Sequence, residues 1–284
     1  MSELAMRTTP RQAGEPAHKY YWRIDLLHRL IHGFLMASFL GLAATGLPIR
    51  FNWAPWASNL AHAMGGFGTI IFFHECFATI LTGCFLVHVG YVTYILFVQG
   101  EKGVLWGPGS MVPQPRDVID MFQHFRWFFG LGPRPRFDRF TYWEKFDYWA
   151  VFWGMMIIGT SGYMLWFSAF FAKFIPGWLF NIALVIHSEE ALLAVWFIFA
   201  VHFFNCHVRP EKFPMDPVIF TGRISEEEMR EERPVELERL VQQGQLTPLE
   251  TAPPPRWLQN FGRIIGSAAV VIGFILFGLT LWAL

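Results

Sequence analysis

Four histidines stand in two matched pairs: His74 and His88, fourteen residues apart, and His187 and His202, fifteen apart. Each spacing is close to four turns of an α-helix, so both members of a pair share one helix face. At about 1.5 Å rise per residue they lie roughly 21–22 Å apart along the axis, near opposite margins of a hydrocarbon core of about 30 Å. Imidazole is an axial ligand for haem iron. Two helices that offer it at two matching depths can hold two stacked haems b, each iron ligated from both sides. A single histidine in an apolar helix is ordinarily a hydrogen-bonded packing or proton-path residue. Four in matched pairs, where every ionisable group is costly, need a common cause.

Carboxylates accompany the first member of each pair. Glu75 follows His74, and Glu189 and Glu190 follow His187. At that depth an acid can accept protons from a membrane quinol and pass them outward. The same groups can instead hydrogen-bond the imidazoles or face water, and both readings stay open. His28 and His32, one turn apart on one face, either line a quinone site or ligate a third haem. A second candidate quinone site lies near His32, His202, Arg209 and Lys145, where a cation can donate to a quinone carbonyl.

Positioning these groups requires membrane-spanning helices. The chain of 284 residues is 54 % hydrophobic and 15 % charged, with its charges gathered into a few blocks, which excludes an ordinary soluble globule. A net charge of zero gives no basis for a nucleic-acid partner. Five apolar segments are expected to span: about 24–47, ended by Gly46-Leu47-Pro48; 67–98; 146–170, with Gly154, Gly159 and Gly162 allowing close approach of a helix or flat ligand; 178–207; and 262–284. Residues 1–23 form a polar tail and 24–207 the haem-binding four-helix bundle. Residues 208–261 form a polar extension, and 262–284 a fifth transmembrane helix without ligand candidates. Asp117 to Phe129 has the pattern of a helix in the interface plane. Ser225 reads as the N-cap of a surface helix running to about Gln243. Cys76, Cys84 and Cys206 form no haem-attachment or zinc spacing and read as small buried apolar residues. The apolar run after residue 23 is too long, and lacks the small-residue cleavage site, to be a secretory signal.

Lys and Arg concentrate in the N-terminal tail (Arg7, Arg11, Lys19, Arg23), in the 100–145 loop and in residues 208–261. The segments 48–66 and 171–177 carry only Arg50 and Lys173. The N-terminus is therefore expected to be cytoplasmic. Helices two and four then run the same way, with His74 and His187 near the outer face and His88 and His202 near the inner one.

Several stretches resemble the membrane cytochrome b subunits of formate dehydrogenases, nickel-iron hydrogenases and thiosulfate reductases. These are Arg29-Leu-Ile-His32-Gly-Phe with Ala44-Thr45-Gly46-Leu47, then Arg116-Asp117-Val118-Ile119, and Lys145-Phe-x-Tyr-Trp149. The resemblance covers roughly residues 24–207. The 14/15 spacing is instead similar to the cytochrome b of quinol:cytochrome c reductases and of the photosynthetic cytochrome b-f complex. Both resemblances imply an outer haem between His74 and His187. The first implies that His202 pairs with His32 at the inner haem. The second implies His88, which equal spacing on parallel helices favours. Where the first family carries a Tyr-Asn-x-x-x-Lys quinone motif, this chain has Phe140-Thr141-Tyr142-Trp143-Glu144-Lys145, without the Asn.

The expected function is a di-haem b subunit of a respiratory oxidoreductase, in a bacterial cytoplasmic membrane, moving electrons between a quinone pool and a partner such as an iron-sulfur or multihaem cytochrome c protein. No nucleotide, iron-sulfur or molybdenum motif is visible, so the soluble chemistry must lie on other subunits, with residues 208–261 as a docking surface. The alternative is a proton-coupled transporter or channel with a histidine/glutamate relay.

Overall fold

A computed structural model describes residues 19–213 and 215–283. Most of these residues are helical, and four helices are long and apolar enough to cross a membrane: Leu26–Arg50, Phe67–Phe97, Trp178–Val208 and Arg256–Ala283. The architecture is that of an all-α, multi-pass membrane protein with a small extramembrane sheet.

Helix α1 (Leu26–Arg50) starts at Asp25, whose carboxylate accepts from the His28 backbone N–H at 2.9 Å. It does not stop at Gly46-Leu47-Pro48 as expected but runs on to Arg50 with Pro48 inside. A proline two residues from a helix end forfeits one hydrogen bond, and Leu47 and Pro48 remain buried. Helix α2 (Pro55–Ala63) occupies part of the 48–66 segment between the first two expected spans. Gly65 and Gly66, both at φ +94°, then turn the chain into α3 (Phe67–Phe97).

Helix α4 (Pro115–Phe128) leaves Val118, Ile119, Phe122, Phe125 and Phe128 exposed on its surface, as an interfacial helix would. Thr141 and Glu144 form a capping box that opens α5 (Tyr142–Gly154). A π-helical turn, Met155–Gly159, joins α5 to α6 (Thr160–Trp166) without a break, and a single turn, α7 (Ser168–Phe171), follows. Helix α8 (Trp178–Trp196) continues through two π-helical turns, Phe197–His202 and Phe204–Val208.

Beyond the bundle come α9 (Val218–Thr221), α10 (Glu226–Glu232) and α11 (Pro234–Gln242). The single surface helix expected over 225–243 is thus two. Pro234 has no N–H and keeps Arg233 out of the helical region, at φ −131° and ψ 46°. Strands β1 (Tyr20–Trp22), β2 (Arg223–Ser225) and β3 (Glu250–Thr251) form an antiparallel sheet in the order β2-β1-β3, with Tyr21 opposite both Ile224 and Glu250. Residues 1–18 of the expected tail, with Arg7 and Arg11, lie outside the described residues.

Helix α12 (Arg256–Ala283) closes against α1 and α8. A Cβ at Gly273 would sit 2.4 Å from the Phe203 ring, so only glycine permits this approach. Ion pairs tie three distant segments together beside the membrane. Arg23 and Arg139 both bind the buried Glu236, at 2.7 and 2.9 Å. Arg233 binds Glu144 at 2.7 Å. Lys212 contacts Asp216 at 2.9 Å, Glu232 at 3.2 Å and Glu228. The chain before α1, the loop before α5 and the segment after α8 therefore share one side.

Candidate haem-binding sites

Contacts between helices fix their directions. His28 at the start of α1 meets His88 late in α3, whereas Thr45 late in α1 meets His74 early in α3. Helices α5–α6 and α8 are likewise antiparallel, since Asp147 meets His202 and Ile158 meets His187. The four histidines of the two pairs therefore lie toward two ends of one bundle.

At one end the His74 and His187 rings lie side by side in an edge-on arrangement, with centroids 6.3 Å apart and planes at 77°. The Nδ1 of His74 lies 2.9 Å from the Thr45 hydroxyl. That of His187 lies 3.0 Å from the carbonyl oxygen of Ile158, with the Ser161 hydroxyl 3.5 Å away. Each ring thus spends Nδ1 on the protein and keeps Nε2 available. Metal–imidazole bonds of about 2.0–2.1 Å, plus roughly 1.1 Å from nitrogen to ring centre, would set two opposed ligands of one metal about 6.2–6.4 Å apart. The observed separation fits that value. Two glycines border the Nδ1–Cε1 edges of the rings: a Cβ at Gly46 would lie 3.1 Å from His74 Cε1, and one at Gly162 only 2.8 Å from His187 Cε1.

The acids beside these histidines are placed differently. Glu189 accepts from Arg50 at 2.7 Å on an exposed surface, and Glu190 accepts from the Trp153 indole at 3.3 Å. Glu75 is half-buried, and its carboxylate has no partner among the described residues. None of the three touches His74 or His187 in the described contacts.

The other end separates the remaining histidines into two groups. His88 donates to or accepts from the Tyr148 hydroxyl through Nε2 at 2.9 Å. Its ring lies 5.8 Å from that of His28, which also contacts Tyr91. His28 Nδ1 is held by Asp25 at 2.8 Å. His202 instead has Asp147 on its Nδ1 at 2.9 Å and the Cys206 sulfur at 3.8 Å from the same atom. His207 lies 6.3 Å from His202, centroid to centroid. The described contacts group His202 with Asp147, Cys206 and His207, and His88 with His28 and Tyr148.

Donor atoms of Asp147, His202 and Cys206 fall within 4.8 Å of one another. Cys206 is therefore a neighbour of a candidate ligand rather than only a small apolar filler. Asp147 and His207 are not singled out as site residues by the sequence, and Tyr148 enters there only within the Lys145-Phe-x-Tyr-Trp149 motif. The available signal was an acid two residues past Lys145 at the mouth of an apolar helix.

The cations of the second candidate quinone site are engaged elsewhere. Buried Lys145 donates to both oxygens of Asp117 at 2.9 Å, and Arg209 donates to Glu232 at 2.8 Å. This joins Asp117 of one resemblance motif to Lys145 of another. No protein-family model and no curated relative matches the chain.

Proposed function

We propose that the chain is a di-haem b membrane subunit that exchanges electrons between a quinone pool and a partner redox protein. The observation that carries this reading is the His74–His187 pair, whose spacing suits two ligands of one iron. Haem held by two imidazoles has no open coordination position and so supplies electron transfer rather than oxygen activation.

The chain's own residues do the positioning. Thr45 and the Ile158 carbonyl fix the ring orientation of His74 and His187 through Nδ1. Gly46 and Gly162 bring the backbones of α1 and α6 against the rings. At the second site the engagement of His88 Nε2 by Tyr148, and the contact of its ring with His28, favour His32 over His88 as the partner of His202. The continuous helix over 142–166 supplies Ile158 and Asp147 to the two sites and is the fifth span in this reading. The basic side, with Arg23, Arg139 and Lys212, faces the cytoplasm of a bacterial inner membrane, and the ion-paired segment after α8 is the docking surface for a partner subunit. Glu75, Glu189 and Glu190 lie at the opposite end, where they can take up protons from a quinol.

A reduced-minus-oxidised visible spectrum of the purified chain, recorded after adding a quinol, tests the reading. A haem b α-band that appears on quinol addition supports it. No haem absorbance under any reductant overturns it in favour of a histidine/glutamate proton relay.

A further inference from the structure

We propose that Asp147 is a positioning residue that makes the His202 site the more reducing of the two. This rests on the di-haem reading but does not follow from it.

The two ends of the bundle treat their imidazoles unequally. At the His74–His187 end both Nδ1 atoms meet neutral groups, the Thr45 hydroxyl and the Ile158 carbonyl. At the other end His202 Nδ1 meets a carboxylate. Asp147 Oδ2 is 2.9 Å away, and the two side chains are 13 % and 21 % exposed. The second oxygen, Oδ1, is buried and has no hydrogen-bond partner among the described residues. Among the described residues no Lys or Arg pairs with Asp147, and the ion-pair partner of its carboxylate is His202. The Cys206 sulfur approaches the same nitrogen and offers no positive charge.

A ring N–H that donates to a carboxylate makes the far nitrogen a stronger electron donor than one that donates to a carbonyl or hydroxyl. A stronger axial donor, with an uncompensated negative charge behind it, favours the ferric over the ferrous state of an iron on that nitrogen. Charge acts further in a membrane interior than in water, because little solvent screens it. His202 and Cys206 sit in the π-helical turns that continue α8, with Asp147 opposite them on α5. An electron on this chain is therefore held less tightly at the Asp147 end and more tightly at the Thr45 end.

Equilibrium redox titration of the purified haem-loaded chain, followed at the α-band, tests this, with haem counted in every sample. The wild type should show two one-electron waves. Asp147→Asn should keep two haems and raise the lower-potential wave by at least tenfold in ferrous-to-ferric ratio, about 59 mV, while the higher wave stays in place. Asp147→Glu, which keeps the charge, should return most of that shift. A lower wave that does not move in Asp147→Asn overturns the inference, as does a shift confined to the higher wave. If Asp147→Asn loses one haem, the surviving wave must be the higher one; survival of the lower wave also overturns it. A wild-type chain without haem would defeat the di-haem reading itself, a distinct outcome.

Discussion

Gly162→Ala should weaken haem binding at the His74–His187 site through one added methyl group. The new Cβ would lie 2.8 Å from His187 Cε1 and 3.1 Å from its Nδ1. Favourable carbon contacts begin near 3.5 Å, so the ring must retreat by about 0.7 Å. It cannot do so freely, because the Ile158 carbonyl, one turn earlier on the same continuous helix, holds Nδ1 at 3.0 Å. Overpacking of this kind costs about 1–3 kcal/mol. If that cost falls on the ligated state, haem affinity at this site drops roughly five- to 150-fold. The assay is a Soret titration of haem into the purified apoprotein. Gly83→Ala, on α3 with open space around its Cα, serves as the control and should bind as the wild type does. Equal affinity in Gly162→Ala and wild type would refute the claim that this glycine sets the ring position.

Thr45→Val removes the hydroxyl 2.9 Å from His74 Nδ1 and should lower haem affinity at that site about 10- to 100-fold without disturbing the other, measured by the same titration. Changing Glu75, Glu189 and Glu190 together to Gln should slow quinol oxidation roughly ten- to a thousand-fold with haem content unchanged; full activity at every pH would end the proton-carrier role. Lys212→Met leaves the carboxylates of Asp216, Glu228 and Glu232 without their cation and should cost about 3–5 kcal/mol, read as rapid proteolysis of residues 209–251 at neutral pH. Burial alone lowers the Lys212 pKa, but those three carboxylates outweigh it and raise the value above the usual lysine range. A raised folded-state pKa means that the stabilisation is complete below about pH 10.4 and is lost as pH rises further. Protease protection of the wild type should accordingly hold from neutral pH to about 10 and then fall.

The helices were legible because apolar length and helical period are local properties, and the fourteen- and fifteen-residue spacings exposed the candidate ligands directly. The partner of each Nδ1 was not. Thr45 appeared only as part of a Thr-Gly motif, and Gly162 only as a small residue in a helix. Their contact with His74 and His187 depends on how four helices cross. Asp147 was missed for the same reason, as its role exists only once α5 packs beside α8. The π-helical turns that end α8 defeat any argument from an even 3.6-residue period beyond Trp196. The small sheet gave no signal because strands of two or three residues carry no alternation to read. The break at Pro234 was readable from the proline itself.

The most direct measurement of the central claim is the haem b content of the purified chain by pyridine haemochrome, taken alongside His74→Ala and His187→Ala. Bis-imidazole ligation at two sites predicts about two haems per wild-type chain and about one in either variant, the same site being lost in both. A wild-type value near zero, or variants that retain both haems, would contradict it.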